Sequence, residues 1–147
     1  MLQTDIGAYL EPGFSVGPQL AAAGAINGTG VDRLNVVSGQ VYMYYSCMLL
    51  LIVGVTAGTP TSFTVDAKIQ DSADNTTFAD YKPDGTNVAS VPTQTAASLV
   101  ARANANLTTA RRYVRAVVTP AFVGGTTPTV GVASAIVFGG ADRVATP

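Results

Sequence analysis

Residues 106–140, NLTTARRYVRAVVTPAFVGGTTPTVGVASAIVFGG, carry the pattern on which the fold turns. Val114, Ala116 and Val118 recur at every second position. Gly124-Gly125-Thr126-Thr127-Pro128 interrupts them, and Val130, Val132, Ile136 and Phe138 resume the alternation. A period of two places alternate side chains on opposite faces of a strand. The stretch therefore predicts two strands closed into a hairpin by the Gly-Thr-Pro turn.

Upstream, the same signs recur. Val41 to Val55 is continuously apolar and rich in β-branched and aromatic residues, which predicts a strand covered on both faces. As a helix it would span only about 22 Å against roughly 30 Å of bilayer core, and it holds Tyr42, Tyr44, Tyr45 and Ser46, so it is not expected to cross a membrane. Gly54 is placed to bend or bulge this strand near its end. After the Ala57–Ser62 turn, Phe63, Val65, Ala67 and Ile69 alternate with Thr64, Asp66, Lys68 and Gln70, a half-buried strand with its apolar face on the core.

Asp71 to Thr77 and Pro83-Asp84-Gly85 read as turns, with a short strand marked by Phe78 and Tyr81 between them. Residues 97–105 suit either a strand or a short helix. Short strands with turns at regular spacing predict an all-β fold, an antiparallel β-sandwich of jelly-roll or Ig-like Greek-key type. The turns at Gly58-Thr59-Pro60-Thr61 and Gly125-Thr126-Thr127-Pro128-Thr129 look alike, as an internal duplication or the shared preferences of turn residues would make them.

Residues 1–31 differ. Six glycines alternate with Pro12, Pro18 and small residues, and no period persists. They read as an extended N-terminal arm, either a flexible tail or a segment that orders on a neighbouring subunit. Tyr9, Leu10, Phe14, Val16 and Ile26 give such an arm apolar anchors. The sandwich domain is then expected over residues 32–147.

Composition narrows the function. Of 147 residues 48% are hydrophobic and only 12% charged, about half the usual charged share. A monomer so built exposes apolar patches, which points to a homo-oligomer. The net charge of −1 indicates neither nucleic acid nor membrane as a partner. There is no histidine, which removes catalytic triads and most zinc sites, and Glu11 is the only glutamate. Neither catalytic activity nor a cofactor is expected. Cys47 reads as a small buried hydrophobe. The start Met1-Leu2-Gln3-Thr4-Asp5 lacks a signal-peptide pattern, which fits a cytosolic origin and leaves the sequons at Asn27, Asn75 and Asn106 without meaning.

Three groupings have a possible role. Leu107 lies six residues before Tyr113, a spacing similar to the tyrosine corner of Greek-key sandwiches, whose phenol bonds to upstream backbone. Tyr113 reads equally as a strand aromatic facing a partner subunit. Asp71, Asp74, Asn75, Thr77 and Asp80 offer oxygens to a cation, but their spacing does not match an EF-hand, and turn chemistry accounts for them. Arg102, Arg111, Arg112 and Arg115 form a basic cluster opposite an acidic one. Arg111, Tyr113 and Arg115 would share a strand face, available to phosphate or a stacked single strand. The alternatives are a salt-bridged surface or charges that set register between subunits.

Leu107, Arg111-Arg112-Tyr113-Val114-Arg115-Ala116, Val118-Thr119-Pro120, the Gly-Gly-Thr-Thr-Pro-Thr turn and Phe138-Gly139-Gly140 together resemble a pattern of small head proteins of tailed bacteriophages. Thr56–Thr61 and Ile69–Asp80 extend the likeness. The resemblance implies a virion structural protein of the capsid cement (decoration) type. Such proteins are β-rich trimers on the capsid surface that clamp neighbouring copies of the major capsid protein and are made in the host cytoplasm. The interface candidates are then Tyr9, Phe14, Leu107, Arg111, Tyr113 and Arg115. Two other readings stay open: a tail, neck or head–tail joining protein, or a cellular β-sandwich binding module. The lack of tryptophan counts against a carbohydrate-binding version of the last.

Overall fold

A computed structural model describes residues 10–37 and 39–143. Every regular element among them is a strand, and all pairings are antiparallel. The first sheet holds β1 (Glu11–Ala21), β4 (Leu34–Val37), β5 (Gln40–Ala57), β9 (Leu99–Asn106) and β11 (Thr129–Arg143). The second holds β2 (Ile26–Asn27), β3 (Val31–Asp32), β6 (Ser62–Ser72), β7 (Ala79–Asp80), β8 (Ser90–Gln94) and β10 (Tyr113–Val123).

The order across the first sheet is β1-β11-β5, with β4 and β9 following one another along the far edge of β5. Across the second, β2 and β3 share one edge of β10, which pairs with β6, and β7 and β8 share the far edge of β6. First pairs with last (β1 with β11), β2 and β3 with β10, β5 with β9, and β6 with β8. This nesting is the strand order of a jelly roll, so the sandwich reading holds and the Ig-like alternative falls away.

The core lies between the sheets. Leu49, Leu51 and Val53 of β5 and Val132, Ile136 and Phe138 of β11 face Val65, Ala67 and Ile69 of β6 and Val114, Ala116 and Val118 of β10, all buried. Phe63 joins them half-buried. Tyr44 stacks on Phe138 with ring centroids 5.3 Å apart. Cys47 sits in this cluster, and burial pushes its thiol up to about 12. The thiolate is the reactive form. Cys47 should therefore resist thiol reagents at neutral pH and become labelled only when denaturant opens the sandwich, as mass spectrometry would read. Labelling of the folded protein at the rate of a free thiol would contradict this packing.

Three expectations are corrected. Residues 11–32 do not extend as an arm apart from the sandwich: β1 is its first strand, paired along β11, and β2 and β3 edge the second sheet. The glycines and prolines that hid this pattern sit where β1 is irregular, with register shifts between Phe14 and Val16 and between Val16 and Gln19. The extra residue Ser15 turns inward, its hydroxyl donating to the Thr29 carbonyl and accepting from the Ala116 amide. It thus ties β1 to the second sheet. Tyr9 lies outside the described residues.

The second correction concerns the turns. Neither closes a hairpin, because β5 and β6 lie in different sheets, as do β10 and β11. Both turns arch across the same end of the sandwich and pack on each other, the Thr126 amide donating to the Gly58 carbonyl at 2.9 Å. Gly58 (φ 76°) and Gly125 (φ 87°) take left-handed backbone, and a Cβ on either would strike the other turn's backbone. The likeness of the two sequences matches their equivalent tasks.

Thirdly, β5 is covered on one face only. Leu49 and Leu51 are buried, whereas Ile52 is 42% exposed and Leu50 half-exposed. The bulge expected at Gly54 is present, since Val53 and Thr56 span three residues against two between Val132 and Val130. Of the two forms left open for residues 97–105, the structure has the strand, over Leu99–Asn106.

Candidate functional site

The outer face of the first sheet stands out chemically. Its four long strands set side chains in rows. Phe14, Ala135, Leu50 and Arg102 form one row, Pro12, Val137, Met48 and Asn104 the next, and Ala133, Ile52 and Val100 lie on the other side. Arg102 is the one charge in these rows. Phe14 is 68% exposed, Val100 66% and Leu20 72%. With Ile52 they present on the order of 400 Å² of surface, already the size at which an apolar patch on a monomer marks an interaction site. Between Leu20 and Ile52 the small residues Gly54, Gly131 and Ala133 leave a shallow apolar depression of about 430 Å³. The sequence explains the face. Continuous apolar runs in β5 and β11 supply hydrophobic side chains to both sides of the sheet, and one chain has only one layer to cover them.

The second sheet is the opposite. Its outer face carries Lys68 ion-paired to Asp80 at 2.7 Å, with Gln70 donating to the same carboxylate. These contacts hold Asp80 below its usual range. Arg115 lies over the Phe78 ring at 4.1 Å and donates twice to Gln70. Arg112 grips Asp32 with two nitrogens and covers the Tyr113 ring. Burial alone would raise Asp32, but Arg112 and the Leu34 amide bring it below its ordinary value.

The expected basic cluster is therefore divided. Arg102 belongs to the first sheet, Arg111 precedes β10 and uses its backbone amide on Asp71, and Tyr113 and Arg115 share the outer face of β10. Of the three readings, the salt-bridged surface describes Arg112, with Arg115 held by Gln70 and Phe78. The acidic turn holds itself together as well. Asp74 accepts from Ser72 and from the amides of Thr76 and Thr77, which keep its carboxyl well below the usual carboxylate range.

The tyrosine-corner bond expected of Tyr113 is not found among the described residues, and a different phenol pins this corner. Among the described residues the hydroxyl of Tyr81, not Tyr113, donates to backbone at this corner, reaching the Asn106 carbonyl at 2.6 Å with Thr109 beside it. Leu107 is fully buried below, a core residue rather than an interface one. Arg33 completes the corner. It is buried, and its guanidinium donates to the carbonyls of Tyr44, Ala110 and Arg111 while its own backbone bonds Arg112 and Tyr44. Sequence reasoning missed Arg33 and Tyr81, whose roles depend on carbonyls distant in the chain. It also missed Ile52, Leu20 and Val100 as surface residues; the signal available for Ile52 was that buried Leu51 precedes it in a period-two strand.

Among the described residues no group of His, Cys, Asp or Glu is arranged to hold a metal, and no helix is long and apolar enough to cross a membrane. Compared with known protein families, curated proteins and solved structures, the chain matches none.

Proposed function

We propose that this protein is a structural component of a tailed-phage virion, a capsid cement protein that binds major capsid subunits as a homo-oligomer and stabilises the head. The observation that carries the reading is the division of the sandwich into a wet face and an apolar one. The second sheet's charges are bonded within the chain, while the three rows described on the first sheet's outer face carry a single charge, Arg102. Such a surface suits permanent contact with protein more than turnover of a small ligand. The resemblance of residues 107–140 to small phage head proteins supplies the context.

The grip is not a free arm over residues 11–31. Deleting residues 2–30 would remove the first strand and the Ser15 link between sheets, and so would unfold the sandwich rather than merely weaken binding.

The test adds purified protein to heads of the phage that encodes it, stripped of this component. Saturable co-sedimentation with heads and DNA release at a higher temperature are expected. Binding to tails or necks alone would transfer the reading to a joining protein, and binding to neither would end it.

A further inference from the structure

We propose that the outer face of the first sheet docks against the same face of a second copy of this chain, related by a twofold axis parallel to the strands. The inference rests on the self-association in the reading above and names the surface that performs it.

The row register gives the reason. Phe14 in β1 and Arg102 in β9 stand at the two ends of one row, with Ala135 and Leu50 between them. A twofold axis running between β11 and β5 lays β1 of one copy over β9 of the other. Phe14 then covers the partner copy's Arg102, and Arg102 the partner copy's Phe14. The only charge in the rows thereby meets an aromatic face, an arrangement that favours a cation as water is excluded. On either side of the axis Ala135 and Ala133 of β11 lie over the partner copy's Leu50 and Ile52, small side chains against large ones, which lets two sheets approach to about 10 Å. The bulky exposed residues Phe14, Leu20 and Val100 lie toward the edges and close the rim.

The area is sufficient. Phe14, Leu20, Ile52 and Val100 supply on the order of 400 Å², and the partly exposed Met48, Leu50, Val137 and Pro12 carry the total toward the ~800 Å² per partner of a stable complex. Contact of a patch with itself is the isologous case and closes at two copies.

Within one chain Phe14 and Arg102 are three strand spacings apart, about 14 Å, whereas across the interface they face each other at about 10 Å, within reach of a short bifunctional thiol reagent though not of a direct disulfide. The double variant Phe14→Cys with Arg102→Cys should therefore form, on treatment with a short thiol-specific bifunctional reagent, a dimer cross-linked at two places. Each single variant should stay largely unlinked. Light scattering on the isolated wild-type protein should give the mass of a dimer at micromolar concentration. Arg102→Glu should raise its dissociation constant about tenfold, and Phe14→Lys combined with Arg102→Glu should restore it, since the reversed charges again face each other. Unchanged circular dichroism would show that each variant folds. A monomer at these concentrations, a trimer indifferent to both substitutions, or cross-linking equal in single and double variants would overturn the proposal. The measurement needs no capsid, so its failure would leave head binding to be judged by co-sedimentation.

Discussion

Arg33→Met is expected to lower the unfolding free energy by about 3 kcal/mol, one of the largest losses available to a single substitution here. The guanidinium is buried and bonds three backbone carbonyls, those of Tyr44 in the first sheet and of Ala110 and Arg111 in the corner before β10. Replacing a buried ion pair by apolar residues often costs nothing, but Arg33 is not in an ion pair. Its partners are carbonyls that stay in place when the donor is removed, and the one in a wholly buried bond, that of Tyr44, costs about 1–3 kcal/mol if left unpaired. Burial lowers the guanidinium's own pKa, yet it stays charged at any pH the fold survives. Arg33→Lys should recover little, because an ammonium cannot reproduce the planar fork. Urea titration of both variants reads the effect, and a methionine variant as stable as wild type would mean that the three carbonyls find other partners.

Leu51→Ala should cost about 2–5 kcal/mol. Its neighbour Ile52→Ala should cost less than about 1 kcal/mol when measured in dilute protein with the chains apart. Both residues lie in the same apolar run of β5, and composition does not tell them apart. Leu51 has no exposed surface and touches the opposite sheet, so truncation leaves a cavity among side chains that cannot close over it. Ile52 is 42% exposed on the outer face and loses only part of its burial. Equal losses at the two positions, by denaturant midpoint at constant slope, would show that β5 is covered on both sides within one chain.

Much of the fold is legible in the sequence because strands with one wet face write their orientation in alternation. Phe63 to Ile69 and Val114 to Val118 were readable in this way, and the inward set of Val130, Val132, Ile136 and Phe138 is buried as expected. The signal fails at β1, where Pro12, Gly13, Gly17 and Pro18 accompany two register shifts. A bulge inserts a residue and breaks the period by which a strand is recognised. It fails differently at the arches. Gly-Thr-Pro specifies a sharp reversal but not whether the chain returns to its own sheet or crosses to the other. The expected tyrosine corner shows the same limit: Tyr113 had the suggestive spacing, but the phenol that pins this corner is that of Tyr81, which reaches the Asn106 carbonyl from 25 residues away in the chain.

The sequence by itself determined the all-β class, the core faces of β6, β10 and β11, the bulge at Gly54 and a surplus of apolar side chains over charged ones. These follow from local periodicity, backbone preference and composition, which each segment carries without its neighbours. Only the tertiary structure decided that the strands nest as a jelly roll, that β1 belongs to it, and that Arg33 and Tyr81 pin the corner before β10. It also decided where the surplus lies, with the salt-bridged charges on the second sheet and Phe14, Ile52 and Val100 beside the lone Arg102 on one face of the first. The physical reason is that a strand's period assigns each side chain to one of two faces, but which face looks inward depends on the partner sheet.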